Sequence, residues 1–219
     1  MDVHGGRAGV IAVLACWASA IILGKAMVLG EASKPGAARE SVRALPEPER
    51  ERFLGRRSLF VFAHPMCPCT PATLARVREL LAAAPGSVEA TVYFDRPADV
   101  ASDWESGEIW GIARSIPGLT ALVDFDGAAA RRFGATTSGD VLIFDAGGRR
   151  VFQGGVTARR GDPSENAAWQ AALDVLAGKP VARNDWPVFG CPLFAPTRTV
   201  ATGAVLTSTS TSTTRDIQR

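Results

Sequence analysis

The sequence has almost no surplus of charge. Its 24 Lys and Arg are set against 22 Asp and Glu, a net charge of +2 over 219 residues, so no basic patch argues for nucleic acid. Cysteine is scarce: four residues exclude a disulfide-stapled miniprotein. Histidine is scarcer still. His4 sits in the N-terminal tail and carries nothing, which leaves His64 as the only histidine of the folded region. No internal repeat is present, and the length suits one domain of ordinary size with appendages. The acids of "DFDG", Asp124 and Asp126, have no further ligands at calcium-loop spacing and read as turn residues.

Apolar residues, in contrast, make up 47% of the chain, and part of that excess lies at the N-terminus. "AGVIAVLACWASAIILG" (8–24) is free of charge, and "KAMVLG" extends it to Gly30. A bilayer core of roughly 30 Å takes about 20 apolar residues. Lys25 can snorkel near a helix end. Residues 1–30 are therefore expected to form an uncleaved signal anchor, with cleavage after Ala32 or a buried core helix as the alternatives. "VLAC" ends at Cys16 after too short an apolar run for a lipobox, so Cys16 reads as a small apolar residue of the span.

The basic residues and the thiols disagree about topology. Arg7 precedes the span, while Lys25, Lys34, Arg39 and Arg43 follow it, which favours a cytoplasmic C-terminal domain. A close cysteine pair favours an oxidising compartment. We give the thiols the greater weight. The expectation is a single-pass protein of the cytoplasmic membrane with its C-terminal domain in the periplasm.

Residues 31–57 are rich in charge, Ala and Pro and read as a linker holding at most a short helix. "TSTSTSTT" (207–214) is low-complexity, so 196–219 is expected to be a disordered tail. One domain, 58–195, lies between. "SLFVFAH" is the continuous apolar run of a strand buried on both faces. Leu74, Val77, Leu80 and Leu81 follow at helical spacing, with Pro85-Gly86 as the stop. "VEATVYFD" alternates Val88, Ala90, Val92 and Phe94 as a strand, and a helix is expected to gather Trp104, Ile109, Trp110 and Ile112. "TALVDFD" reads as a strand and "GAAARRFG" as a short helix. "DVLIFD" and "RRVFQGGV" form a hairpin across "AGG". The last helix lies within 164–178, with Ser164 as N-cap and Gly178 past its end. Strands alternating with helices, then a hairpin and a helix, predict an α/β sandwich with a mixed sheet.

The chemistry centres on "FAHPMCPCTP" (62–71), which puts Cys67 and Cys69 between the first strand and its helix. A helix N-terminus lowers a thiol's pKa, and the thiolate is the attacking species. Pro68 and Pro71 both suit a first helical turn. A start at Pro68 makes Cys67 the N-cap; a start at Pro71 makes Thr70 the N-cap. Cys67 is assigned as nucleophile and Cys69 as resolving cysteine, although a bond between residues two apart is strained. His64 is a candidate to orient or deprotonate a thiol. Cys191, in "FGCPLF", is a possible third thiol if its segment returns to the same pole; otherwise it is a small buried residue. Arg159 and Arg160 either face a substrate or are simply solvated.

The element order, together with "FAHPMCPC" (62–69), "FGATTSGDVLIFDAGGRRVFQGGVTARRG" (133–161) and "PVFGCPLF" (187–194), resembles the thioredoxin-like superfamily. Within it the chain is similar to the membrane-anchored RedB-type proteins and, more distantly, to the cytochrome-c-biogenesis thioredoxins. The resemblance implies a thioredoxin-like sandwich behind an N-terminal transmembrane helix, a redox role and a redox partner protein. It also implies a substrate-binding loop at Ser138 and Gly139. The sequence departs from the pattern twice. Cys67-Pro68-Cys69 stands where Cys-x-x-Cys is usual, and no proline occupies the cis-proline position near Ser138-Gly139.

The leading expectation is a thiol–disulfide oxidoreductase that needs no cofactor. One alternative is copper handling, with soft thiolates and imidazole from His64, Cys67, Cys69 and Cys191 on Cu(I). Another is a thiol peroxidase using Thr70 with Arg131 or Arg132. An interaction module with a vestigial redox site completes the set.

Overall fold

The computed structural model describes residues 3–37, 42–101 and 103–194. The expected disordered tail, 196–219, lies outside these residues, as does Arg39. Among the described residues eleven elements follow one another: α1 (Val3–Ala32), α2 (Glu49–Phe53), β1 (Ser58–Ala63), α3 (Thr70–Ala83), β2 (Glu89–Arg96), α4 (Glu108–Arg114), β3 (Leu119–Phe125), α5 (Ala128–Phe133), β4 (Asp140–Phe144), β5 (Arg150–Gly154) and α6 (Ala167–Leu176). The five strands form one sheet in the order β3-β2-β1-β4-β5. β1 pairs parallel with β2 and antiparallel with β4, so the sheet is mixed and changes sense at β1.

All six residues of β1 are buried, because helices cover both faces of the sheet. The alternation of side chains along a strand divides them. Leu59, Val61 and Ala63 join an aliphatic core with Leu74, Val77, Leu80 and Leu81 of α3 and Ala172 and Val175 of α6. Phe60 and Phe62 join an aromatic core with Tyr93, Phe133 and Phe144 on the opposite face. Each buried Val, Leu or Phe side chain among them contributes about 1.5–3 kcal/mol by leaving water.

Three local expectations differ from the structure. Part of the segment read as a linker is built into the fold. Ala44 bridges to Arg149, and Leu45 and Phe53 are buried in the aromatic core, so two apolar residues among the charges suffice to dock it. The helix expected to gather Trp104 begins only at Glu108; Trp104 precedes it, in a turn closed by the Arg96–Glu105 ion pair. Asn166 rather than Ser164 caps α6. Its Oδ1 accepts from the Ala168 and Trp169 amides, at 3.1 and 3.0 Å, while the Ser164 amide is turned back to Asp162. Asp124 accepts from the Ala129 and Ala130 amides at 2.7 and 2.9 Å and so anchors the start of α5.

After α6 the chain runs back along the sheet. Asp185 bridges parallel to Gln153, the Gln153 amide donates to the Asn184 carbonyl, and the Trp186 amide donates to the Gln153 carbonyl. β5 is antiparallel to β4, and β4 is antiparallel to β1. A segment parallel to β5 therefore travels in the direction of β1 and arrives where β1 ends. Gly154 makes room for it: a Cβ there would lie 2.6 Å from the Trp186 carbonyl oxygen.

Candidate functional site

β1 ends at Ala63, and the chain winds into α3 by two tight turns. The Cys67 amide donates to the His64 carbonyl at 3.1 Å, and the Thr70 amide donates to the Cys67 carbonyl at 3.0 Å. α3 starts at Thr70 with Pro71 in its first turn, and Cys69 is its N-cap. This is neither of the two registers the prolines allowed. The second turn ends only at Thr70, so Cys69 is the residue whose carbonyl first accepts a helical amide, that of Thr73.

The 136–139 turn closes over this loop from the other side. The Gly139 amide donates to the Phe62 carbonyl at 2.7 Å. Ser138 Oγ accepts from the His64 amide at 2.9 Å and lies 3.1 Å from Thr70 Oγ1. Cys191 arrives on the returning C-terminal segment. Its carbonyl accepts from the Ser138 amide at 2.8 Å, and Pro192 bridges antiparallel to Thr137. Cys67, Cys69, Cys191 and Ser138 thus meet at the N-terminal pole of α3.

All four cysteines are free thiols in the structure, including Cys16 on the exposed surface of α1. The three at the pole are unequal. Burial acts to raise Cys67, but it is outweighed by hydrogen bonds from the Cys191 thiol, from the Cys191 and Cys69 amides and from the Ser138 hydroxyl. Cys67 is held below the ordinary thiol range. Burial pushes Cys69 up, as do the charge on Cys67 and the hydrogen bond to it; Arg160 and the Gly161 amide oppose. Burial, the hydrogen bond to Cys67 and the Cys67 charge push Cys191 up to about 11. Cys67 is the first sulfur to ionise, and its neighbours are still protonated donors when it does.

His64 is half-buried, and burial lowers its pKa, so it is neutral at pH 7. Its Nδ1 accepts from the Met66 amide at 3.1 Å, and its ring meets Trp104 edge-on at 6.0 Å. It is not among the groups that set the Cys67 pKa. Arg131 and Arg132 pair with Asp126 and Glu49 and are not among those groups either. The cation that acts on the thiols is Arg160, on both Cys69 and Cys191. Its Nε is buried with no hydrogen-bond partner among the described residues. Arg159, by contrast, pairs with Asp162 at 2.9 Å.

Sequence reasoning missed Gly190 and Gly36. A Cβ on Gly190 would collide with the Ser138 carbonyl oxygen, and one on Gly36 would collide with the Thr137 side chain. The glycine beside a cysteine in "FGCPLF" was the available signal for the first; nothing in the sequence marks the second. The Gly36 amide donates to the Val188 carbonyl at 2.8 Å, and the Arg160 amide donates to the Ala32 carbonyl at 3.0 Å. The end of α1 is therefore tied to two segments of the thiol site.

No protein-family model and no curated protein matches the sequence. Solved structures do. An uncharacterised conserved protein from Geobacillus kaustophilus aligns with a TM-score of 0.53 at 19% identity, over 75% of this chain and 92% of its own. A hypothetical protein from Sinorhizobium meliloti aligns with a TM-score of 0.53 at 18% identity, over 74% of this chain and 97% of its own. A secreted disulfide oxidoreductase from Mycobacterium tuberculosis aligns with a TM-score of 0.40 at 17% identity, over 58% of this chain and 85% of its own. With a mixed sheet in the order β3-β2-β1-β4-β5, helices on both faces and a cysteine-bearing turn between the central strand and its helix, the domain has a thioredoxin-like fold.

Proposed function

We propose that the protein is a membrane-anchored, extracytoplasmic thiol–disulfide oxidoreductase of the RedB type, with Cys67 as its nucleophile. The observation that carries this reading is the placement of Cys67: it is buried beside the N-cap of α3, the 136–139 turn and the Cys191 segment close over its loop, and these neighbours hold its thiol below the ordinary range. Such a sulfur ionises early, attacks a disulfide and leaves readily in the return step. A neighbouring thiol then resolves the mixed disulfide; Cys69 is the candidate nearest in sequence. The turn at Ser138 and Gly139 stands where an extended substrate would lie beside Cys67. The redox partner is a protein bearing a disulfide or dithiol.

The helix over Gly9–Ala32 supports the anchor. It has a mean hydropathy of 2.0 and none of it is buried in the fold. Its 24 residues reach roughly 36 Å, enough for a hydrocarbon core of about 30 Å. The reading puts α1 in the cytoplasmic membrane and the thiols on the periplasmic side. A reporter fused after Cys191 is expected to be active only outside the cytoplasm, and cytoplasmic activity overturns the topology.

A copper site would need His64 to join the three thiols in metal-holding geometry, and its Nδ1 instead accepts from the Met66 amide. Among the described residues no three or more His, Cys, Asp or Glu are grouped to hold a metal ion. The Cys67 hydrogen bonds favour exchange instead. The deciding experiment treats the reduced full-length protein in detergent with a model disulfide, beside a Cu(I) competition assay. Stoichiometric reduction of the disulfide, lost in Cys67→Ser, is the expected result. Tight stoichiometric Cu(I) with no reduction overturns it.

A further inference from the structure

Cys69 is the neighbour of Cys67 in sequence, but two thiols face Cys67 in space. Cys67 is only 1% exposed, and the returning segment helps to cover it. That segment is seated like a short added strand. The Ser138 amide donates to the Cys191 carbonyl, and the Leu193 amide donates to the Thr136 carbonyl at 3.0 Å. Gly190 permits this approach, since any side chain there meets the Ser138 carbonyl. The backbone bond from Ser138 and the Thr137–Pro192 bridge thus hold Cys191 at the turn that closes over the Cys67 loop, and Cys191 acts to lower the Cys67 thiol.

The two candidate bonds differ in what the backbone must do. A Cys67–Cys69 disulfide closes a small ring through Pro68, whose φ is fixed by its own ring. Cys69 is also the N-cap that starts α3, with φ −86° and ψ −19°, so strain in that ring would fall on the helix start. Disulfides need particular Cβ placements, and departures store strain. A Cys67–Cys191 disulfide joins two segments that are both tied to the 136–139 turn, by the Gly139–Phe62 and Ser138–Cys191 backbone hydrogen bonds, and it leaves Cys69 in its N-cap conformation.

We infer that Cys191, not Cys69, resolves the mixed disulfide on Cys67, and that segment 187–194 moves aside to admit substrate and returns to complete the reaction. This rests on the thiol-exchange reading. The Cys67 thiolate attacks one sulfur of the substrate disulfide. A bond from Cys67 to that sulfur forms, the substrate S–S bond breaks, and the first half leaves as a thiolate. The segment returns, and the Cys191 thiol gives up its proton to that thiolate or to water. Its sulfur then attacks Cys67 Sγ. The Cys67–Cys191 bond forms, and the second half leaves as a thiolate that takes a proton from water. The substrate has gained two electrons and the two cysteines have lost them; an external dithiol reverses the cycle. Cys69 stays reduced, as the N-cap whose amide donates to Cys67.

The test is a disulfide map of full-length protein in detergent after limited oxidation with oxidised glutathione. Wild type is expected to yield the peptide pair joined through Cys67 and Cys191, and Cys69→Ser to yield the same pair. Cys191→Ser is expected to accumulate Cys67 glutathionylated, a mass shift that clears in wild type. A Cys67–Cys69 bond as the main product, or Cys191→Ser clearing the adduct at the wild-type rate, overturns the inference and leaves the exchange reading standing. Absence of any adduct or bond on Cys67 in wild type removes both. The wild-type map needs no variant, so a folding defect in Cys191→Ser does not shield the inference.

Discussion

Two segments far apart in sequence hold one sulfur, by different means. The turn from His64 to Cys69 is local. An apolar strand ends, prolines follow, and a helix presents its unpaired amides. The segment from Trp186 to Phe194 is long-range. It reaches Cys67 only because β5 carries it in the direction of β1 and glycines let it lie close. The helix pole offers Cys67 the Cys69 amide, whereas the returning segment offers a thiol and an amide, and Ser138 adds a hydroxyl between them. The thiolate is thus a property of the assembled site more than of the helix.

The sharpest way to break the comparison is Gly190→Val. Its side chain has nowhere to go but into the Ser138 carbonyl, and overpacking typically costs about 1–3 kcal/mol. If the returning segment is the larger contributor, displacing it raises the Cys67 pKa towards the ordinary thiol value, about 8.5. Thiolate ultraviolet absorbance against pH reads this directly. An unmoved Cys67 titration would show that the helix pole suffices alone.

A smaller effect concerns the mutual coupling of the thiols. In wild type, alkylation is expected to begin as pH rises through the lowered Cys67 value, since only the thiolate reacts. Cys191 follows near pH 11. In Cys67→Ser the lower step disappears. The Cys191 step moves down, because the hydrogen bond to Cys67 and the Cys67 charge are gone, while burial and the Cys69 charge still raise it. Cysteine-specific alkylation mapped over pH checks both signs.

The smallest effect is expected for His64→Ala. The imidazole is neutral at pH 7 and accepts from the Met66 amide, a bond worth about 1 kcal/mol. The Cys67 titration should stay in place and stability should fall slightly. A marked shift of the Cys67 titration would give His64 the role of base that its position in the sequence first proposed.

What was legible beforehand follows the range of the interactions. Apolar runs and spacing located β1, α3 and the β4–β5 hairpin, because burial pattern and turn residues are local signals. Caps were less legible. Asn166 and Ser164 are both good N-caps, and only the path of the loop decided which amides would be free. The docking of Leu45 and Phe53 was hidden for a similar reason, since two apolar residues in a charged stretch look like a linker until a sheet is there to receive them.

The sequence by itself determined an apolar segment long enough to span a membrane, an alternating α/β domain and a pair of thiols where a strand meets a helix. It left the fate of Cys191 open, because 121 residues lie between it and Cys69 and no local pattern spans that gap. The tertiary structure decided that Cys191 meets Cys67, that Ser138 joins them, and that Arg160 rather than Arg131 or Arg132 stands near the thiols. The physical reason is that ionisation depends on distance in space. Donors bear on a sulfur only within hydrogen-bond reach, and that reach is set by strand direction, close approach at glycine and the burial that holds the segments together.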